Sequence, residues 1–363
     1  MSRRAAAYRV AVRRGRGGPV DAEHRVTAVA WVEDGRAPGG GAGGAGGATA
    51  AAAEAGPVTF FRSCCKPFQA LPLVERGHAD RLGLSERELA VICASHSGGR
   101  VHVAVVRGLL ARLGLDEGAL WCGFHFPQDD ESEAALRCGR VGHSAVYNNC
   151  SGKHAGMLAL AVAEGWSLAD YVAADHPVQR ACVAAIAEVC GADPAAVPVS
   201  IDGCSAANPA LSLTAMARGF ARFAAARPGA DAGDARERAL ARLRTAMQRH
   251  PVLVAGERRF DTDLMVAARG ALVSKGGAEA LQCVAVPAAR AGVALKVHDG
   301  HHRAVGPATI AFLAEHGWLE PDAVAALKRW AEPVLHNHRG LEVGDVRVFP
   351  EASIPSPAGA GSA

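Results

Sequence analysis

The sequence predicts an α+β fold in which strands gather towards the two ends of the chain and helices fill the middle. Two observations carry this. Short apolar runs at Tyr8–Val12, Val26–Val32, Val58–Phe61, Ala271–Ser274, Gln282–Val286 and Val293–Val297 have the length and β-branched or aromatic content of strands, and the region between the third and fourth runs is mainly helical in its periodicity. Strands so distributed fit one sheet closed by N- and C-terminal segments, with a helical lobe beside it. No internal repeat with a period of roughly 20–50 residues is evident.

A chain of 363 residues can bury a large core, and residues 1–350 are expected to form a single domain with two lobes. Arg3, Arg4, Arg13, Arg14 and Arg16 make its start locally basic, as a solvated tail or edge strand would be. After the second strand, residues 36–56 are dominated by Gly and Ala and read as a flexible insertion. The third strand runs through Arg62 into a helix, with Ser63 at the helix start and Lys66 one turn on, so both side chains share a face. Asn148-Asn149-Cys150-Ser151-Gly152-Lys153-His154 enters a helix through about Glu164, and Asp202-Gly203-Cys204-Ser205 forms a turn. Gly270-Ala271-Leu272-Val273 is a short strand before Ser274 and Lys275, followed by two glycines that admit close backbone approach. Residues 351–363 read as a disordered tail.

The composition excludes several classes of function. The net charge is only +3 and the basic residues are scattered, so there is no nucleic-acid footprint. No apolar run approaches membrane-spanning length, and charges interrupt the N-terminal stretch before a signal-peptide core can form. The expectation is a soluble cytoplasmic protein. Its ten cysteines lack the framework of a small secreted scaffold and are expected to be mostly reduced and buried.

Three stretches carry chemistry: Ser63-Cys64-Cys65-Lys66, Ser95-His96-Ser97-Gly98 and Ser274-Lys275-Gly276-Gly277. Their order, S-x-x-K, S-x-S, S-K-G-G, parallels the motif series of enzymes that attack amides with a lysine-activated serine. Each alone has a bland reading, since a serine caps helices and forms turns, but the ordered set points to amide hydrolysis. A serine hydroxyl needs a base to take its proton, and lysine serves only when neutral. Its pKa must fall by roughly three units, on the order of 4 kcal/mol, through burial or a neighbouring cation. Ser63, Lys66, Ser95 and Lys275 are the candidate catalytic residues. The Cys64-Cys65 pair beside Ser63 suggests sensitivity to oxidation.

A second constellation suits a metal. Cys150 and His154 stand four apart on one helix, and Cys204 lies in a distant turn; two thiolates and a nitrogen donor suit tetrahedral zinc. Plain buried core cysteines are the competing reading.

Together these residues resemble a known family. Arg62-Ser63-x-x-Lys66-Pro67-x-Gln69-Ala70, Ala94-Ser95-His96-Ser97-Gly98, Asn148 through Gly156, Asp202-Gly203-Cys204, His250-Pro251 with Val254-Ala255-Gly256, Asp261-Thr262 and Ser274-Lys275-Gly276 are similar to the Rhizobium etli-type L-asparaginases, also called asparaginase II or class 3. The likeness spans roughly Tyr8 to Gly317, and N-N-C-S-G-K-H is its most specific element. It implies a fold like the serine β-lactamases and glutaminases, a homodimer, and hydrolysis of L-asparagine to L-aspartate and ammonia. By position, it pairs Ser63 with Lys66 and Ser95 with Lys275. It implies one zinc per chain, not strictly required, on Cys150, Lys153 and Cys204, and makes His154 a neighbour of that site rather than a ligand. Arg62, His96, Asn149 and Asp202 become substrate-binding candidates; for Arg62 two roles are open, a bidentate pair with the substrate carboxylate or, if its guanidinium reaches the pocket, repulsion that helps keep a lysine neutral.

Two other readings stay open from sequence. One is a penicillin-binding or β-lactamase-type serine acyl transferase, which shares the S-x-x-K logic. The other is a non-catalytic, zinc-dependent amino-acid-binding protein on the same fold. Which serine forms the acyl-enzyme is likewise open.

Overall fold

In a computed structural model, residues 2–15, 18–33, 57–229 and 233–350 are described. The expected insertion at 36–56 and the tail at 351–363 lie outside them. The main sheet is antiparallel and has seven strands in the order β6-β7-β8-β2-β1-β10-β9. These are β1 (Ser2–Arg14), β2 (Val20–Val32), β6 (Val273–Gly277), β7 (Leu281–Val286), β8 (Ala291–Val297), β9 (Val334–His336) and β10 (Glu342–Pro350). The N-terminal hairpin is thus inserted between the two C-terminal strand groups: β2 pairs with β8, and β1 pairs with β10. The α+β expectation holds, with terminal segments closing the sheet.

One expected strand goes elsewhere. Val58–Phe60 (β3) joins a second, three-stranded antiparallel sheet, β3-β5-β4, with β4 at Val199–Ile201 and β5 at Ala207–Ser212. Its register places Thr59 opposite Leu211 and Phe60 opposite Ala210. The chain enters the S-x-x-K turn directly from this small sheet.

The helices that position the site are α1 (Lys66–Gln69), α2 (Glu86–Ile92), α3 (Arg100–Arg112), α4 (Ser151–Glu164), α5 (Pro177–Cys190), α6 (Leu213–Ala225), α7 (Ala235–Arg249), α8 (Phe260–Ala267) and α9 (Val305–Glu315). α2 starts in a full capping box: Ser85 Oγ accepts from the Glu88 amide while Glu88 accepts from the Ser85 amide. α6 lies across β8, β2 and β7. The approach is close enough that a Cβ at Gly292 of β8 would meet the Ala217 carbonyl at 2.1 Å. α4 packs on α2 in the same way, since a Cβ at Gly152 would meet the Val91 carbonyl at 2.2 Å. Phe61, Phe68, Phe220 and Phe223 interlock edge-on or tilted at centroid separations of 5.3–6.4 Å. That aromatic cluster fixes the S-x-x-K segment between α6 and the small sheet.

Candidate active site

Ser63 lies in a 3-10 turn, Arg62–Cys65, that follows β3 and continues into α1, as the sequence predicts. Two bonds hold the turn: the Phe61 amide donates to the Pro209 carbonyl (2.8 Å) and the Arg62 amide to Asn208 Oδ1 (3.0 Å). Arg62 sits in the left-handed region at φ 48°, a strained setting that recurs at functional sites. Ser95 leaves the end of α2 on a loop tied by its own amide to the Val254 carbonyl (3.0 Å). Lys275 lies within β6, which begins at Val273 and runs on through the glycines, rather than after a strand ending at Ser274. Asp261 anchors this strand: it accepts from Ser274 Oγ (2.7 Å), the Gly276 amide (2.7 Å) and Gln282 Nε2 (2.8 Å).

The two lysines converge on one serine. Lys66 Nζ donates to Ser95 Oγ (2.9 Å), the Ala94 carbonyl (2.7 Å) and the Asn149 carbonyl (3.2 Å). Lys275 Nζ lies 2.7 Å from Ser95 Oγ and 2.7 Å from the Gly276 carbonyl. Both ammonium ends are buried. Burial, then the neighbouring Lys66 charge, bring the Lys275 pKa down to about 8. Ser63 makes no side-chain hydrogen bond among the described residues, so the expected Ser63–Lys66 pairing has no bond in this structure. Ser63 and Ser95 nevertheless line the same cavity, of about 530 Å³, together with Asn149, Gln128, Asp261 and Arg259.

The other candidates fall into three positions. Asn149 lines the cavity. Arg62 and Asp202 do not line it; Arg62 Nε lies 2.9 Å from Asp202 Oδ1, an ion pair without the angle of a hydrogen bond. His96 is fully buried behind the serine loop. Its Nδ1 accepts from the Gly98 amide (3.1 Å), so its Nε2–H faces Ser151 Oγ (3.0 Å), which passes the chain on to the Val146 carbonyl. Burial, then His102 stacked on it at 5.0 Å, hold its pKa well below the usual range. A neutral imidazole with both nitrogens engaged braces the loop and leaves no group for a ligand. Cys64 and Cys65 are both buried, and burial pushes the Cys65 thiol up. For Cys65 this works against the thiolate character on which oxidation sensitivity depends.

The second constellation also assembles. Lys153 Nζ donates to Cys204 Sγ (2.8 Å) at the start of α4, and Cys204 Sγ lies 3.9 Å from Asp202 Oδ2. Hydrogen bonding to Cys204 holds the Cys150 thiol well below its usual range against the opposing effect of burial; the same bond and burial push Cys204 up. Burial works to lower the Lys153 pKa, but the Cys204 and Cys150 sulfurs together raise it. Among the described residues no three His, Cys, Asp or Glu side chains are grouped to hold a metal, so a zinc site here requires the lysine. The donor set fits: two sulfurs and an amine meet, and the buried His154 ring interacts with the Cys204 sulfur beside them. His154 Nδ1 is engaged with the Tyr171 hydroxyl at 2.7 Å.

Sequence reasoning missed Gln128, Arg259 and the anchoring role of Asp261. The Asp261-Thr262 pair was visible as a motif, but its partners come from β6 and β7 and are set by tertiary structure alone.

The model of the family described as L-asparaginase II matches residues 12–348. The chain belongs to the L-asparaginase II family. It is an asparaginase-type amidohydrolase, which sets aside both the acyl-transferase reading and the reading of a non-catalytic binding protein. Its substrate is accordingly a small molecule. Comparison with curated proteins finds no match. No helix among the described residues is long and apolar enough to cross a membrane.

Proposed function

We propose that the enzyme hydrolyses L-asparagine to L-aspartate and ammonia, with Ser95 as nucleophile and Lys275 as its base. The observation that supports this is the asymmetry of the two lysines around Ser95 Oγ. Lys66 directs its donors to three acceptors, Ser95 Oγ and two backbone carbonyls, so it has no lone pair turned to the serine. Lys275 has only the Gly276 carbonyl besides the serine. As a neutral amine it donates one proton there and turns its lone pair to the Ser95 hydroxyl.

Ser95 Oγ attacks the side-chain amide carbon while its proton passes to Lys275 Nζ. Lys275 returns that proton to the leaving nitrogen, the C–N bond breaks, and ammonia departs from an aspartyl ester on Ser95. Water then attacks the ester, giving its proton to Lys275; the ester C–O bond breaks, Ser95 recovers a proton, and L-aspartate leaves. Ser63, on the same cavity wall with an uncommitted hydroxyl, donates to the developing oxyanion. Asn149 helps to orient the substrate. His96 acts by holding the loop, and the Arg62–Asp202 pair by linking the S-x-x-K turn to the Cys204 turn.

Zinc held by Cys150, Lys153 and Cys204 would fix this turn and supply positive charge beside Asn149. The chemistry of Ser95 stands on other segments and does not pass through it. The antiparallel sheet closed by terminal strands, with helices packed on it, supports a serine β-lactamase- and glutaminase-like fold. Likeness to the family supports a homodimer, and the sequence pattern supports a cytoplasmic enzyme with a single domain over residues 1–350.

The test is Ser95→Ala beside Ser63→Ala. Ser95→Ala is expected to lower kcat at least about a thousandfold, and Ser63→Ala by the roughly hundred- to thousandfold typical of an oxyanion donor. Mass spectrometry of acid-quenched turnover should find the aspartyl ester on Ser95 in the wild type and in Ser63→Ala. An ester on Ser63 would overturn the assignment.

A further inference from the structure

We propose that Arg259 binds the α-carboxylate of the substrate and so makes the enzyme selective for free amino-acid amides. This rests on the amidohydrolase reading of the same cavity. Free asparagine carries a carboxylate that must leave water on entering a site, and such a group needs a cation not already engaged.

The described residues offer few. Lys66 and Lys275 have their donors directed to Ser95 and to backbone carbonyls. Arg62 is paired with Asp202 and does not line the cavity. Arg258 lines it, but its guanidinium pairs with Asp130 (2.8 Å) and the side chain is 75% exposed. Arg259 lines the cavity, is partly buried, and among the described residues its guanidinium has neither an ion pair nor a hydrogen bond. It takes over the role that the sequence suggested for Arg62.

Its placement is fixed. Arg259 is the residue before α8, and its carbonyl accepts from the Asp263 amide (2.9 Å). Its stem folds over Gly256, where φ is +116° and an added Cβ would lie 3.6 Å from Arg259 Cγ and 2.3 Å from Ser97 Oγ. Gly256 is therefore wedged between Arg259 and the loop that carries Ser95. His302 lies on the same wall, and burial and then the Arg259 charge lower its pKa.

The experiment compares L-asparagine with β-alaninamide, the same amide without the α-carboxylate, in wild type, Arg259→Gln and Arg259→Lys. Arg259→Gln should raise KM for asparagine by about 10- to 100-fold, the range for a lost charge-assisted contact, with kcat within a few-fold. Turnover of β-alaninamide should not change, and Arg259→Lys should recover part of the loss. The affinity for L-aspartate by calorimetry should fall by the same factor as KM rises. Equal losses on both substrates, or an unchanged KM for asparagine, would overturn the role of Arg259. A wild type that releases no ammonia from asparagine would instead overturn the amidohydrolase reading itself.

Discussion

The sharpest consequence of the two-lysine geometry concerns pH. Lys275 titrates at about 8 rather than its ordinary 10.5, because it is buried and faces the Lys66 ammonium. The shift corresponds to roughly 3 kcal/mol against the charged form. At pH 7 it leaves about a tenth of the enzyme with a neutral base, about 300-fold more than an unshifted lysine would. The sign follows directly: the neutral amine is the working form, so kcat/KM should rise tenfold per pH unit below about 8 and level off above it. Steady-state ammonia release in constant-ionic-strength buffers from pH 6 to 10 measures this. Lys66→Met removes the second cause of the shift but leaves burial, so its midpoint should move to higher pH while its rate stays low at neutrality. A rate that is flat across pH 6–10 in the wild type would refute Lys275 as the base.

Changes at the metal constellation and at two helix glycines give further tests. Zinc-supplemented, dialysed protein should contain about one zinc per chain by elemental analysis, with Cys150→Ser and Lys153→Ala each losing it; wild type without zinc would refute the site. Gly152→Ala places a methyl against the Val91 carbonyl and should cost about 1–3 kcal/mol in urea unfolding. Gly108→Ala, in an exposed turn of α3 with open space around it, should stabilise by about 0.5–1 kcal/mol. Equal effects of the two would show that the α2–α4 contact is not as close as described.

The sequence revealed most of the core strands because their side chains are apolar in long runs, as in β7, where every residue is buried. β10 was not legible, since Gly344 and Asp345 break its alternation. The structure explains both. A Cβ at Gly344 would strike the Arg13 carbonyl at 2.0 Å, and the buried Asp345 is paired with Arg13 across the sheet at 3.2 Å. β5 was hidden by Asn208 and Pro209, residues that argue against a central strand. They are used here for their acceptors: Asn208 Oδ1 and the Pro209 carbonyl hold the turn that presents Ser63. At the site, the spacing of Ser63 and Lys66 could be read along one helix. The direction of Lys66 could not, because its partners Ala94, Ser95 and Asn149 come from segments 28–83 residues away.

That long-range convergence explains why one serine is given two lysines. A single buried lysine beside a hydroxyl could be kept neutral by burial alone, but nothing would then fix the hydroxyl or favour the alkoxide-like charge that grows on it. Lys66 does both by donating to Ser95 Oγ, while two backbone carbonyls accept its other donors. Its charge also helps to discharge Lys275. Asp261 works in the opposite direction and would hold Lys275 protonated if it were free to pair with it. Its oxygens are instead committed to Ser274, the Gly276 amide and Gln282, which ties the carboxylate to the strand on the cavity wall. The polar network around β6 therefore keeps Asp261 from capturing the base as well as holding Lys275 in place.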